Sequence, residues 1–522
     1  MQQNKIILLS LAPTTSRTAE ENLSIAYLGA VLKDKNYNVK LIDNWLANYS
    51  EQTIIDNIIN DKAVKVLGIS CYMSTNQLAI EFAGKVKQKR KDIKFICGGY
   101  GPSFNMEYFL EENIFDFVSY GEGELTIIEL CNYIINNIGN IEGIKGIAYK
   151  CNDKVKINDK RELIKDLDSI SFPLRDNVEL AMKRMSTVGV VTSRGCLGNC
   201  SFCSISAMTK LCNGARWRGR SAENIVEELN ILHNMGVRYI KFVDDSFIDG
   251  DRNIEWVKNL YKLIKDKNIN MYFRSAIRAD KVDDDMMYYL KKIGFRSFSC
   301  GIENGSKEAL KRMNKIAQID TNEKALKILK KHKMYIQAGF ILFDNETTFS
   351  EVVENYKFLN KHKYIINKGI FSEMYAANGT EFTKRLKDNK QILDSKVYDN
   401  NKYNINDIKA SIMYKYLKMW HKAHVEIYDK VIDPISSPKA LNDEEMEKVY
   451  QLYMKIREKD LVFMGNLINL VDSNETNENI EKYFNKIIEE NKSHYLEIED
   501  NIDNIYIKNN MIFDSVPSPY LL

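Results

Sequence analysis

The sequence lacks long apolar runs and an excess of charge of either sign. No stretch approaches the roughly 20 consecutive apolar residues that a membrane-spanning helix needs, and the N-terminal KIILLSLAP is typical of a short buried strand rather than a signal sequence. The 74 lysines and arginines nearly balance 71 aspartates and glutamates, which gives no general electrostatic reason to expect nucleic acid or an anionic membrane as a partner. We therefore expect a cytoplasmic protein without a membrane span and without a nucleic-acid partner.

A fourth ligand is missing from the one dense cluster of cysteines. Three of the nine cysteines, Cys196, Cys200 and Cys203, lie in the stretch TSRGCLGNCSFCSI, with no further cysteine or histidine close behind. Structural metal sites normally close with four protein ligands. Three thiolates can instead hold a four-iron four-sulfur cluster and leave one iron open for a substrate or cofactor. The alternatives are a zinc site completed from afar, for instance by Cys212 or His233, and chance clustering of buried thiols.

The first part of the chain, to about residue 151, alternates short apolar runs with amphipathic stretches. We predict buried parallel strands in KIILLSL, YNVKLID, VKVLGIS, IKFICGG and FDFVSYG, and hence a doubly wound, Rossmann-like α/β domain. Such sheets bind ligands beyond the carboxyl ends of their strands, where small, flexible residues cluster here at 70–74, 97–104 and 119–124. Three such loops at one edge favour a large, flat or polar ligand. A dinucleotide is disfavoured because no G-x-G-x-x-G opens the first helix.

The rest of the chain divides into a linker and two further units, since 522 residues exceed one typical core. After a polar segment around Pro173, six strand and helix repeats run to about Leu386 and predict a (βα)6 partial TIM barrel, whose chemistry should lie on the loops after the strands. The cysteine loop follows the first of these strands. Beyond residue 387 glycine nearly vanishes and helical spacing dominates. The predicted units are 1–155 for the first domain, 156–182 for the linker, 183–386 for the barrel and 387–522 for a mostly helical domain.

The cysteine loop and the segments that follow it resemble the radical S-adenosylmethionine (SAM) enzymes. Cys-x3-Cys-x2-Cys with an aromatic residue before the last cysteine resembles that family's cluster loop, and IKFVDDSFI, FSCGIENGSKEALKRMNK and GFILFDNETT resemble its later barrel motifs. The resemblance implies a [4Fe-4S] cluster on the three cysteines, with SAM chelated at the open iron and cleaved to a 5′-deoxyadenosyl radical. It also implies SAM-binding roles for Gly195, Phe202, Asp244, Asp245, Arg278, Gly301 and Glu303.

Two positions depart from the family's pattern. Phe343-Asp344-Asn345 stands where many relatives have Gly-x-Pro, and Asn378 stands where they have proline before Gly-Thr. Both positions fall near the expected substrate side of the barrel. The substrates of close relatives are therefore not carried over to this chain.

The first domain resembles the cobalamin-binding domain that precedes the barrel in one large branch of these enzymes. LSIAYLGAVLKDKNYNVKLID, CGGYGPSF and SYGEGELTIIEL each match that branch, so the resemblance covers about residues 5–386. It implies cobalamin contacts at Pro13, Thr14, Ser70, Ser74, Gly98, Gly99, Pro102, Ser103, Gly121, Glu122 and Gly123. The first of the six histidines is His233, so this domain has no imidazole for cobalt. We expect the lower face of cobalt to meet a non-histidine side chain or no protein ligand, which would ease reduction to cobalt(I).

The two resemblances together imply a cobalamin-dependent radical SAM methyltransferase. One SAM would methylate the cobalamin, and a second would supply the radical that removes hydrogen from an unactivated carbon, which then takes the methyl group. In a first alternative, the same cofactors serve a cyclisation, a ring contraction or an oxygen insertion. In a more remote alternative, the protein is a sensor that binds the cofactors without turnover. The expected partners are a small-molecule or peptide substrate and an external electron donor of the flavodoxin or ferredoxin type.

Overall fold

The structure is a computed structural model, and three regions follow one another along the chain. It describes residues 4–12, 21–111, 113–184, 186–394, 401–436 and 441–511. Pro13 and Thr14, predicted to contact cobalamin, lie outside these ranges. Over the described ranges, no helix combines the length and the apolar character needed to cross a membrane.

A seven-stranded sheet forms the first region and confirms all five predicted strands. Its strands are β1 (Lys5–Ser10), β2 (Asn38–Asp43), β3 (Val64–Ser70), β4 (Lys94–Gly98), β5 (Phe117–Ser119), β6 (Ile147–Cys151) and β7 (Lys154–Ile157). Its helices are α1 (Leu23–Asp34), α2 (Asn44–Ala47), α3 (Glu51–Asn60), α4 (Asn76–Lys89), α5 (Tyr100–Phe104), α6 (Met106–Glu111) and α7 (Glu124–Asn136). The strand order is β2-β1-β3-β4-β5-β6-β7. The first five strands are parallel, and β6 and β7 extend the sheet as an antiparallel hairpin.

Helices cover both faces of this sheet, as the predicted doubly wound fold requires. Ile7 and Leu9 of β1 pack into a core with α3 and α4, whereas Ile6 and Leu8 pack into a second core with α1 and α7. Successive side chains of a strand point to opposite faces. The continuous apolar run of β1 therefore reflects burial on both sides.

The hairpin of β6 and β7 was not predicted, although its turn carries a recognisable signal. Asn152 and Asp153 form the connection, and their φ angles are 49° and 58°. Two-residue turns with positive φ fit the twist of paired strands, and Asn and Asp tolerate that conformation. Strand β7 reads Lys-Val-Lys-Ile and is mostly exposed, so it gives little hydrophobic pattern from which to predict a strand.

The second region is a parallel sheet with helices between its strands. Its strands are β8 (Val188–Val190), β9 (Ser193–Gly195), β10 (Trp217–Gly219), β11 (Tyr239–Phe242), β12 (Tyr272–Arg278), β13 (Phe295–Glu303) and β14 (Tyr335–Phe340). Its helices are α8 (Val178–Lys183), α9 (Ser204–Thr209), α10 (Ala222–Asn234), α11 (Ile254–Asp266), α12 (Asp284–Ile293), α13 (Lys307–Arg312), α14 (Ile319–Lys331) and α15 (Phe349–Lys361). Five strands form the sheet in the order β14-β13-β12-β11-β8, and β9 pairs only with β10.

The sixth predicted repeat lies beside β14 but is irregular. It pairs in parallel through two isolated bridges, Gln337 with Ile366 and Phe343 with Glu373. Between these bridges Gly369 adopts a φ of 72°, a conformation that interrupts a regular strand. The sixth element therefore extends the partial barrel without forming a continuous ladder.

The third region is mostly helical, as predicted. It consists of α16 (Glu381–Asp388), β15 (Ile392–Asp394), β16 (Lys402–Tyr403), α17 (Ile408–Ser436), α18 (Asp443–Asp472) and α19 (Asn477–Lys508). The three long helices pack on one another, and the same hydrophobic core takes in Phe343, Ile366, Ile370 and Phe371 of the barrel. The boundaries at residues 155, 182 and 386 stay predictions.

We expect the stability of this helical core to fall as the pH rises from about 4 to about 6. Asp460 is buried and accepts hydrogen bonds from Trp420 Nε1 (2.8 Å) and Tyr428 Oη (2.6 Å). Burial raises its pKa to about 6, while these hydrogen bonds and Arg457 act in the opposite direction. Because the pKa of Asp460 is higher in the folded protein, this carboxyl group ionises first in the unfolded chain as the pH rises. Its ionisation stabilises the unfolded chain relative to the folded protein.

The shift corresponds to about 3 kcal/mol of unfolding free energy over that pH range. Asp460→Asn, which keeps the acceptor oxygen but does not titrate, should remove this part of the pH dependence. Chemical denaturation of both proteins at several pH values measures the difference. Parallel stability profiles for the two proteins would contradict the assignment.

Candidate functional site

The cysteine loop begins from a short antiparallel pair, β9 with β10. Gly195 ends β9 with a φ of 86°, and a side chain there would overlap the carbonyl of Arg216. Only glycine fits this position without moving β10. Cys196, Cys200 and Cys203 follow and are all partly exposed. The close approach that Gly195 allows is thus made by the protein's own backbone at Arg216. A contact between Gly195 and SAM stays a prediction.

Three carboxylates after β11 hold the backbone of this loop. Asp244 Oδ1 accepts hydrogen bonds from the amides of Thr192 (2.7 Å) and Ser193 (3.1 Å). Asp245 accepts from the amide of Gly195 (3.0 Å) and Asp249 from that of Leu197 (3.1 Å). Three acceptors on successive parts of one loop fix its path. Asp249 was missed from sequence because it lies in the loop seven residues after β11, where an aspartate carries no signal that separates it from a turn residue or a helix cap.

Asp244 and Asp245 therefore differ in their surroundings. The side chain of Asp244 is fully buried, and its second oxygen meets the hydroxyl of Thr192 and lies 3.6 Å from Arg252 Nη1. For Asp244 we propose a positioning role, since both oxygens are engaged inside the protein. Burial raises the pKa of Asp245 to about 6, and the amide of Gly195 opposes that shift. Direct contact of either residue with SAM stays a prediction.

Cationic groups lie beside the thiols. Burial raises the pKa of Cys200 to about 11, and the charge of Lys315 opposes this. Burial also raises the pKa of Cys196, opposed by the amide of Gly198, which donates to its sulfur at 3.2 Å, and by Arg278. Metal ligation needs the thiolate form, and these donors and cations stabilise it. Burial still outweighs them in both pKa values, so the fit to a thiolate-held cluster rests on the three closely spaced sulfurs and on the cations beside them.

The arrangement does not support the zinc alternative. Among the residues that the structure describes, no three His, Cys, Asp or Glu side chains form a group that could hold a single metal ion. A structural zinc site needs four ligands around one ion. Cys212 lies against Gly121 of the first region, and His233 lies in the last turn of α10. The three cysteines of a [4Fe-4S] cluster bind different iron atoms, so their sulfurs need not converge on a single ion.

Glu303 and Lys315 form an ion pair next to Cys200. Their Nζ and Oε1 atoms are 3.3 Å apart, and Lys315 also donates to the carbonyl of Gly301 at 3.2 Å. Burial opposes protonation of Lys315, but Glu303 and Cys200 outweigh it, so the pKa of Lys315 lies above its usual value. Glu303 has a φ of 66° where the β13–β14 register shifts. Left-handed backbone at a residue other than glycine is strained and clusters at functional sites.

Phe202 and Arg278 both lie near the cysteines and are held by different neighbours. Arg278 bonds Asp249 at 2.9 Å and Asp280 at 2.6 Å, which holds its guanidinium near Cys196. Phe202 instead packs against a small apolar cluster that includes Met313 and Phe382. The structure thus gathers the predicted SAM-binding residues around the cysteine loop. Their contacts with SAM stay predictions.

The predicted cobalamin residues lie together at the carboxyl edge of the first sheet. Ser70 is in register with Gly98, and Gly98 with Ser119 of β5. Gly99 has a φ of 106° and a ψ of −170°, a region that is essentially open to glycine alone. A side chain there would overlap the carbonyl of Cys71. The loops after β3 and β4 therefore meet backbone to backbone at this edge.

A cradle of small residues follows Gly99. A side chain at Gly101 would overlap the amide of Asn76, which is fully buried and has neither its oxygen nor its nitrogen hydrogen-bonded. Ser103 donates to the carbonyl of Gly99 at 2.7 Å. Pro102 is buried with it, whereas Ser74 is exposed. Both Cβ positions are filled by the protein's own atoms, so the observation that points to a ligand at this edge is the buried amide of Asn76, whose two polar atoms have no hydrogen-bond partner among the described residues. Asn76 was missed from sequence.

Gly121, Glu122 and Gly123 join this edge to the barrel. Glu122 pairs with Arg218 at 2.9 Å and Arg194 at 3.2 Å, and its other oxygen accepts from the amide of Ile164 at 2.8 Å. Gly121 has a φ of 78°. Both carboxylate oxygens of Glu122 are thus engaged between the two regions, so we propose that it positions them. Its contact with cobalamin stays a prediction.

A second junction connects the loop after β4 to the sixth barrel segment. Tyr100 Oη donates to the carbonyl of Asn378 at 2.8 Å, and Asn378 Nδ2 donates to Asn105 Oδ1 at 3.0 Å. Gly379 has a φ of 88° and leaves room for the ring of Phe104. The asparagine that departs from the family pattern therefore bonds to the first region. Proline at this position would lack the amide side chain that makes this bond.

Comparisons with known proteins agree with this geometry. Residues 190–359 match the radical SAM superfamily, and residues 12–131 match the B12 binding domain. The chain is 32% identical to an uncharacterized methyltransferase of Pyrococcus horikoshii, covering 68% of this chain and 78% of that protein. It is 23% identical to the anaerobic magnesium-protoporphyrin IX monomethyl ester cyclase of Synechocystis sp., covering 63% of this chain and 65% of the cyclase.

The fold matches a solved structure over nearly the whole chain. The cobalamin-dependent SAM radical enzyme OxsB, with aqua-cobalamin and SAM bound, aligns with a TM-score of 0.79 and 19% identity, covering 98% of this chain and 82% of OxsB. Fold and site define a radical SAM protein that carries a B12-binding domain. The chain belongs to the cobalamin-dependent radical SAM enzymes. A [4Fe-4S] cluster, SAM and cobalamin are accordingly its cofactors.

Proposed function

We propose that the enzyme transfers a methyl group to an unactivated carbon of a small-molecule or peptide substrate. The observation that carries the proposal is the direct junction between the loop after β4 and the barrel segment beside the cysteine loop, made by Tyr100 and Asn378. Reacting groups must be held in near contact for transfer. The name of the Pyrococcus horikoshii relative supports this outcome.

The residues of the barrel would hold and orient the radical source. Cys196, Cys200 and Cys203 would ligate the cluster, and the Glu303–Lys315 pair lies beside Cys200, where it can orient the polar end of SAM. The strained backbone of Glu303 fixes that carboxylate in one direction. When bound, the three cofactors supply a 5′-deoxyadenosyl radical and a methyl group carried on cobalt.

The residues of the first sheet would hold cobalamin without a histidine ligand. Gly99 and Gly101 let the loop after β4 pack closely on Cys71 and Asn76, and Asn76 offers a buried amide to the ligand. Because the first histidine is His233, we propose that a non-histidine side chain or no protein group faces the lower side of cobalt. A cytoplasmic location suits the three clustered thiols, since reducing compartments keep them free.

A second outcome with the same cofactors is favoured by one specific comparison. The Synechocystis sp. relative is named as a cyclase, and the same radical source serves ring formation. Product analysis separates the two outcomes. Methyl transfer produces S-adenosylhomocysteine in step with methylated product. Cyclisation produces 5′-deoxyadenosine without S-adenosylhomocysteine.

The test is anaerobic reconstitution of the full chain with iron, sulfide and cobalamin, followed by reduction and mass spectrometry of the SAM-derived products. We expect 5′-deoxyadenosine from reductive cleavage and S-adenosylhomocysteine from loss of the methyl group. Omission of cobalamin should remove the second product and leave the first. A reduced, reconstituted protein that forms neither product would overturn the proposed function.

A further inference from the structure

A solvent-open cavity of about 350 Å³ lies beside the cysteine loop. Cys200 and Cys203 line it, together with Asn199, Ser201 and Ser206 of the same loop and the start of α9. None of the described residues that line it belongs to the predicted SAM-binding set. The cavity is therefore formed by the cysteine loop together with residues other than those predicted to bind SAM.

The loop is fixed where it forms the wall of this cavity. The amide of Ser201 donates to the carbonyl of Met313 at 2.9 Å, and the amide of Phe382 donates to the carbonyl of Ser201 at 2.8 Å. Two cluster cysteines are thus held at the cavity wall by neighbouring backbone. A molecule seated over the cavity would approach the cluster ligands with no helix or strand between them.

The walls and rim of the cavity carry more cations than acids. Lys210, Arg312 and Arg385 line it, and Glu381 is the one acid among the described lining residues. Arg312 is held by two carboxylates at 2.6 and 3.2 Å, which leaves Lys210 and Arg385 to set the field. Lys160 donates to the carbonyl of Lys210 at 2.8 Å and adds a further cation at the rim. Such a field attracts acidic proteins and speeds their encounter.

We propose that this cavity is the docking surface for an acidic electron-carrier protein, with Lys210 and Arg385 as its recognition residues. The proposal rests on the proposed radical function. A reduced carrier docked here would give up one electron to the cluster held by the three cysteines and would itself be oxidised by one electron. That electron would cleave a carbon–sulfur bond of SAM reductively, to methionine and the deoxyadenosyl radical. The basic rim would select the carrier, and the partly exposed cysteines would shorten the path of the electron.

The test compares binding with two routes of reduction. Oxidised flavodoxin, an acidic one-electron carrier, is titrated calorimetrically into the full-length protein at low and high salt. Lys210→Glu combined with Arg385→Glu should weaken this binding by about tenfold or more, and salt should weaken binding to the wild-type protein. Formation of 5′-deoxyadenosine driven by reduced flavodoxin should fall in parallel. Formation driven by dithionite, which needs no docking surface, should stay within about twofold.

The matched control is Lys324→Glu combined with Lys327→Glu, which makes the same change of net charge in a different groove on α14. That variant should bind flavodoxin as the wild-type protein does. Equal binding of flavodoxin by the Lys210/Arg385 variant would overturn the proposal, as would equal losses with both reductants. If the wild-type protein forms no 5′-deoxyadenosine even with dithionite, the radical function fails instead, and the binding comparison still decides the docking surface.

Discussion

Replacing Cys200 by alanine is expected to abolish reductive cleavage of SAM while cobalamin remains bound. Cys200 lies beside the Glu303–Lys315 pair, and two thiolates alone leave the cluster without its third anchor. The cobalamin edge lies on a different sheet with its own cores, so its ligand should be unaffected. Iron content, the visible spectrum of bound cobalamin and 5′-deoxyadenosine formation measure the three effects.

Cys212→Ala is the matched control for this result. Cys212 is a buried thiol nine positions after Cys203, and it lies against Gly121 rather than among the three loop cysteines. This variant should keep its iron and its cleavage activity. Loss of metal on substitution of Cys212, or full cleavage activity in Cys200→Ala, would contradict the assignment of the three ligands.

Gly99→Ala is expected to produce the opposite pattern, with loss of cobalamin and retention of the cluster. The φ and ψ angles of Gly99 cost about 1 to 3 kcal/mol for any other residue, and the added carbon would overlap the carbonyl of Cys71. The loop after β4 must then move. Returning the loop to its binding position would cost about the same 1 to 3 kcal/mol, so cobalamin should bind about 5- to 150-fold more weakly at 1.4 kcal/mol per tenfold. Titration of cobalamin, followed by its absorbance, measures the loss.

Gly139→Ala separates this effect from backbone strain alone. Gly139 also has a positive φ, of 97°, but a side chain there meets nothing within 4 Å. It should lower stability without changing cobalamin affinity. Equal affinities in the two variants would place cobalamin elsewhere. SAM cleavage in the Gly99 variant serves as the check that the barrel is still folded.

The parts of the fold carried by local pattern were predictable. The five predicted strands of the first sheet were each recognised from sequence, because β1, β3 and β4 are largely buried apolar runs. Strand β2 lies at the edge of the sheet and is only partly buried. The cysteine loop was equally clear because its spacing is short and dense. The sixth barrel strand was predicted in place, but its interruption at Gly369 depends on contacts with α17, where His421 and Tyr428 pack against that glycine. Such contacts between distant segments leave no trace in local periodicity.

The supporting residues of the site were the least predictable. Asp249 accepts from the amide of Leu197 and pairs with Arg278, and Asn76 offers a buried amide. Neither residue belongs to a spaced motif. The resemblance implies that Glu122 contacts cobalamin, which stays a prediction, and in the structure its carboxylate pairs with Arg194 and Arg218. A carboxylate at a strand end is chemically suited to either use. Only the fold decides which partner reaches it.

The shared core of the barrel and the helical region bears on how the chain folds during synthesis. Phe343, Ile366 and Phe371 of the barrel are buried against α17 and α18, with Trp420 and Tyr453 among their neighbours in that core. When the ribosome has completed the last barrel residue, this apolar surface still has no partner. Nascent chains with exposed apolar surface are prone to aggregation and to capture by chaperones. The barrel therefore completes its packing only after the final helices emerge, and a fragment that stops at residue 386 should be recovered as aggregate.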